Sequence, residues 1–97
     1  MLKIKTIYDN REEFCQVLRS DRYTKVEGDT ASGPDACALQ AWFHHNHGYY
    51  DTLDNNFNDG YSSYARESLG FDPDDIWTKN DSGWTFREIA TWVEAQP

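Results

Sequence analysis

Long apolar runs are missing from this sequence. No stretch approaches the roughly 20 apolar residues that span a bilayer, and the mean hydropathy is −0.86. Met1-Leu2-Lys3-Ile4-Lys5-Thr6 has no apolar core of the kind a secretory signal needs. Cysteine is scarce. Cys15 and Cys37 are the only two, too few for a disulfide scaffold. Without a signal segment they are expected to be reduced, buried and used for packing. No glycine-rich phosphate cradle is present: Gly28, Gly33, Gly48, Gly60, Gly70 and Gly83 are isolated and suit turns or helix ends. Repeats and low-complexity tracts are also missing.

Positive charge is short as well, and unevenly so. Net charge is −8. Residues 1–26 carry Lys3, Lys5, Arg11, Arg19, Arg22 and Lys25 against four acids. Residues 27–97 carry only Arg66, Lys79 and Arg87 against thirteen acids. Phosphate contacts need Lys and Arg, so direct nucleic-acid binding is not expected. An anionic membrane surface is disfavoured for the same reason. A basic protein surface is the complementary partner.

Aromatic residues are plentiful: four Trp, six Tyr and five Phe in 97 residues. Each ring buries about 150–250 Å², enough to build one folded domain over residues 1–97 in spite of the charge. The pattern predicts a mainly α protein, a compact bundle of four or five short helices with a short N-terminal strand, the alternative being a small α+β arrangement. Alternation over Leu2–Tyr8 suggests the strand. Its partner would be a short strand near Tyr23–Glu27 or a second copy, so a monomer and a homodimer both stay open. Asp9 with Glu12 offers a capping box for a first helix carrying Phe14, Val17 and Leu18. The polar stretch from Asp21 to Gly33 would form a hairpin-like loop. Ser32-Gly33-Pro34-Asp35 offers the start of a central helix with Leu39, Trp42 and Phe43, stopped by Gly48. Asn58 or Asp59 would cap a third helix closed by Gly70. Asp72-Pro73-Asp74-Asp75 opens a fourth, with acids at the positive end of its dipole. Asn80-Asp81-Ser82-Gly83 suits a turn. Thr85 and Glu88 cap a last helix whose apolar face is Phe86, Ile89, Ala90, Trp92 and Val93, with Trp84 and Ile89 as a staple.

Four constellations bear on chemistry. His44 and His47, with Cys37 or Asp51, are the candidate metal ligands. Adjacent helical residues point about 100° apart, so His44 and His45 do not share an ion, and histidines in a last turn also suit the negative dipole end. The Asp/Asn-rich run Asp54–Gly60 resembles a calcium loop but puts Gly one step late and Ala65 at the twelfth position. Cys37 with His44 is the one candidate nucleophile couple. The fourth is a surface: Asp51, Asp54, Asp59, Glu67, Asp72, Asp74 and Asp75 interleaved with aromatics including Tyr61 and Tyr64. Acids with aromatics suit a basic partner with apolar pockets. No catalytic residue and no cofactor is expected; the protein reads as a binding module rather than an enzyme.

The pieces Leu18-Arg19-Ser20-Asp21-Arg22-Tyr23, Asp35-Ala36-Cys37-Ala38-Leu39, Leu69-Gly70-Phe71-Asp72 and Asn80-Asp81-Ser82-Gly83-Trp84-Thr85-Phe86-Arg87-Glu88-Ile89-Ala90 occur in that order. Together they resemble a group of small, uncharacterised phage and bacterial proteins with a Cys-Leu-Gly-type helix and an Asn-Asp-x-Gly-x-Thr-Phe-x-Glu-Ile-Ala ending. This chain departs by carrying Ala38-Leu39-Gln40 where the group has Leu-Gly. The resemblance implies a helical fold, a phage or mobile-element origin and a cytoplasmic location in a bacterial host. It implies no activity. Joined to the acidic surface, it gives the expectation of an accessory protein that binds a host protein, in the manner of an acidic DNA-mimic inhibitor of a nucleic-acid-binding or defence protein.

Overall fold

Thr6 starts the first helix. Its Oγ1 accepts from the Asp9 amide at 3.1 Å, while Asp9 Oδ2 accepts from the Thr6 amide at 3.2 Å, a reciprocal capping box. Helix α1 therefore runs Ile7–Arg19. The computed structural model describes residues 5–27, 31–51 and 60–97. The expected strand over Leu2–Tyr8 lies partly outside those residues, and its second half is corrected: Ile7 and Tyr8 form the first helical turn. The cap is Thr6 with Asp9, not Asp9 with Glu12. Two reciprocal hydrogen bonds outweigh a short alternation.

Among the described residues, strand structure sits in a two-stranded parallel pair, β1 (Thr24–Lys25) and β2 (Asp35–Ala36), with Thr24 opposite Asp35 and Lys25 opposite Ala36. Of the expected hairpin-like stretch Asp21–Gly33, residues 28–30 lie outside the described residues, and Thr24 and Lys25 pair in parallel with residues beyond it. Ser32 and Asp35 exchange backbone hydrogen bonds at 2.9 Å each and turn the chain into β2. That turn takes up Ser32, Pro34 and Asp35, which were expected to open the central helix. Helix α2 (Ala38–His47) starts later, capped by Cys37, whose Sγ accepts from the Gln40 amide at 3.4 Å. It ends at Gly48, as expected, where φ is +82°.

Helix α3 (Tyr61–Leu69) ends at Gly70. Its last carbonyls are satisfied from α1: Asn10 Nδ2 donates to Ser68 O at 2.9 Å and Arg11 Nε to Leu69 O at 2.8 Å. Helix α4 (Pro73–Asp81) is capped by Asp72, and α5 (Phe86–Glu94) by the Thr85–Glu88 box. Asn80 and Asp81 belong to α4, so the turn shortens to Ser82-Gly83.

The five helices among the described residues close around one core. Phe14, Val17 and Leu18 of α1 meet Leu39, Trp42 and Phe43 of α2, Leu69 of α3, Ile76 of α4, and Phe86, Ile89 and Val93 of α5. Small residues bring α1 and α5 together: Cys15 Sγ donates to Ala90 O at 3.4 Å. Trp92 is only partly buried, under Phe71 at 5.3 Å. Two buried polar side chains, Gln40 and Asn80, tie the layers by hydrogen bonds. The molecule is mainly α with a small strand pair, and no described helix is long and apolar enough to cross a membrane.

Candidate functional site

The last turns of α2 carry three histidines, and each is held by a different part of the fold. His44 Nδ1 lies 2.8 Å from Tyr23 Oη, and its ring rests 4.3 Å from that of Tyr50. His45 stacks on Trp42, with Nε2 3.6 Å from Glu13 Oε1 and Nδ1 3.3 Å from Arg22 Nη1. His47 donates from Nδ1 to Phe43 O at 2.9 Å and stacks flat on the Phe43 ring at 4.1 Å.

The expected metal set is not assembled. Cys37 caps the start of α2, and about 10 Å of helix rise separates it from His44. Among the described residues, no three His, Cys, Asp or Glu side chains gather in a way that could hold an ion. The same distance separates the supposed Cys37–His44 couple. At Cys15, burial pushes the thiol up to about 11, with the Glu94 charge adding to it, which marks a packing cysteine rather than a nucleophile. The calcium-like run and Asp54 and Asp59 lie outside the described residues.

Asp51 has a folding role. Its Oδ2 accepts from the Tyr61 amide at 3.2 Å. Gly60 supplies no side-chain cap, so this carboxylate serves as one from outside the helix. Gln40 holds Asp51 in place by pairing with its backbone twice: Nε2 donates to Asp51 O at 3.0 Å and Oε1 accepts from Asp51 N at 3.1 Å. A Cβ on Gly60 would run into the Asp51 carboxylate. Asp51→Ala and Gly60→Ala are each expected to cost about 1 kcal/mol through the lost cap, read from urea unfolding curves. Curves that superimpose on wild type would contradict this role.

The remaining acids form a corner where α3 ends and α4 begins. Glu67, Asp72, Asp74 and Asp75 are all exposed. Asp72 Oδ1 accepts from the Asp74 amide at 3.0 Å and so is also a cap. No ion pair among the described residues reaches any of the four. Three cations pair with other acids: Lys5 with Glu13 at 2.6 Å, Arg19 with Glu94 at 2.6 Å, Arg87 with Asp21 at 3.6 Å. Lys25 donates to Asn80 O at 2.7 Å and Arg11 lies 4.1 Å from the Phe71 ring centre, while Lys79 lies 4.1 Å from that of Trp92 and donates to the backbone carbonyl, not the carboxylate, of Asp75 at 3.4 Å.

The aromatic half of the expected surface is mostly interior. Tyr61 is buried, because Tyr61, Ala65 and Leu69 form the core stripe of α3. Tyr64 is half-buried and stacks on Trp42, and burial raises its phenol. One of the acids, Glu67, borders a concavity of about 280 Å³, lined also by Phe43, His47, Tyr49, Gly60, Ser63 and Tyr64. Phe43, Ser63 and Gly60 were not among the expected contact residues. Their signal was spacing: Phe43 and His47 are one turn apart on α2, and Gly60, the cap of α3, is followed by Ser63 and Tyr64 one turn on and Glu67 two turns on. A shallower apolar groove of about 470 Å³ runs along α5 between Trp84 and Trp92. In comparisons with known proteins, no family model, no curated protein and no solved structure matches the chain.

Proposed function

We propose that this chain is a non-enzymatic accessory protein of phage or mobile-element type that binds a basic host protein. Its acidic corner would occupy a groove that otherwise holds nucleic acid, as an acidic DNA mimic does, in the cytoplasm of a bacterial host. One observation carries the reading. Glu67, Asp72, Asp74 and Asp75 are exposed and, among the described residues, reached by no ion pair, although Lys5, Arg19 and Arg87 each pair with an acid elsewhere. Unneutralised carboxylates focus a negative potential outward and speed encounter with a positive surface.

The test is affinity capture from a bacterial lysate at low and high salt, with wild type and with an Asp74→Asn/Asp75→Asn variant. Asp72 is left intact because it caps α4. The expected result is a basic partner retained at low salt, released by high salt, and depleted at least several-fold with the variant. A partner held equally by both proteins and at both salts would overturn the proposal.

A further inference from the structure

The concavity between the end of α2 and α3 has walls that suit one kind of ligand. The Phe43 ring stands nearly perpendicular to Tyr49 (centroids 5.6 Å apart, 81°) and to Tyr64 (5.9 Å, 88°). His47 covers one face of Phe43 and meets Tyr64 at 77° and 4.7 Å. These rings pack on one another, so together they form a continuous aromatic wall to the concavity rather than a slot with two parallel open faces. Aromatic faces carry negative potential and attract cations.

Charge points the same way. Glu67 lies on the lining, one helical turn from Tyr64, with no ion pair among the described residues. The neighbouring cation, Lys5, acts on Tyr64 but is held by Glu13 at 2.6 Å and does not line the concavity. Beyond α3 the acidic corner extends the field. We infer that this aromatic, acid-edged concavity receives the side-chain ammonium of a lysine on the basic partner. The inference rests on the acidic-surface reading above and gives that surface its anchoring point. About 280 Å³ is ample for a four-carbon ammonium chain. Tyr49 and Glu67 supply the adjustable wall and the counter-charge, and Tyr64, backed by Trp42, supplies the fixed wall.

The test is an NMR titration of the full chain with a blocked glycine peptide carrying one central lysine. Matched peptides carry norleucine, which keeps the chain and lacks the charge, or arginine. Tyr49 is 61% exposed, so Tyr49→Ala leaves the core intact, and Glu67→Gln keeps the side-chain shape. The lysine peptide is expected to move the ring resonances of Tyr49 and Tyr64, and each variant to weaken binding about threefold to tenfold. Equal shifts from norleucine, equal or tighter binding of arginine, or lysine shifts confined to Asp74 and Asp75 and untouched by Tyr49→Ala would overturn the inference. The two proposals fail separately. If capture responds to salt and to Asp74→Asn/Asp75→Asn while the lysine peptide leaves the rings unmoved, the anchoring site is wrong and the acidic surface stands. If the lysine peptide binds against the rings and no salt-sensitive partner is captured, the site stands and the larger reading falls.

Discussion

Asn80→Ala is expected to lower the unfolding free energy by about 2–4 kcal/mol. Asn80 is fully buried in α4. Its Oδ1 accepts from the Ala38 amide at 3.1 Å, the first amide of α2, which has no partner within its own helix. Its Nδ2 donates to Val26 O at 2.9 Å and to Asp81 Oδ1 at 3.0 Å. One amide thus joins α4, the start of α2 and the chain just past β1. Alanine would leave the Ala38 donor and the Val26 acceptor facing each other across a void. An unsatisfied buried group costs about 1–3 kcal/mol; the Ala38 amide is buried in full and the Val26 carbonyl only in part, which keeps the sum near the lower end for two such groups. For a domain of this size that corresponds to a fall in Tm of roughly 10–25 °C. Urea and thermal unfolding of the variant check it; a loss below about 1 kcal/mol would show that water replaces the amide.

Trp42→Ala carries the other large effect, about 3–5 kcal/mol. Trp42 is fully buried at the centre of α2. Its ring meets Phe14 edge-on at 5.6 Å and stacks with Tyr64 at 6.2 Å. Its Nε1 donates to Ser68 Oγ at 2.9 Å, and Ser68 in turn donates to Tyr64 O at 2.6 Å. Truncation removes the ring against which α1 and α3 both pack and leaves a cavity that the surrounding helices fill only in part. The fixed wall of the lysine site loses its backing in the same step. Trp42→Phe keeps most of the ring contact and loses the Ser68 bond, so a smaller loss of about 1–2 kcal/mol is expected. Denaturant unfolding followed by circular dichroism separates the two variants. Equal stability of wild type and Trp42→Ala would contradict the core described above.

Local signals in the sequence located the helix ends where the capping group is near in the chain. Thr85 with Glu88, Asp72 before Pro73, and the glycines 48 and 70 all act within a few residues, and each stands where expected. The misplaced ends are those settled by competition or by distant groups. Thr6 displaced Asp9 as the first cap. The Ser32–Asp35 turn and the strand pair claimed residues that looked like a helix start, leaving the cap to Cys37, a residue type with only a weak acceptor. Asn80-Asp81-Ser82-Gly83 has the composition of a turn, yet Asn80 is drawn into α4 because its amide is needed by Ala38 and Val26, 42 and 54 positions away. Local composition carries no trace of such partners.

The candidate site was legible in charge and only partly in shape. Glu67, Asp74 and Asp75 are exposed as acids in a solvated helix turn should be. Tyr61, by contrast, falls on the same stripe as Ala65 and Leu69, and helical periodicity alone places it inside. Asp51 resembled its acidic neighbours, but the Gln40 amide and the Tyr61 amide make it a clamp. Gln40 is also where the chain departs from the Leu-Gly pattern noted in the sequence. The concavity combines α2 and α3, so only the packing of those helices brings Tyr49 and Phe43 beside Glu67.

If the acidic corner stands in for nucleic acid, duplex DNA competes with it for the partner's basic groove. The captured partner is held on immobilised wild-type protein at low salt and challenged with duplex DNA. DNA is expected to release the partner in proportion to its concentration, and the Asp74→Asn/Asp75→Asn variant to need less DNA for the same release. A partner that stays bound while also holding DNA would contradict it.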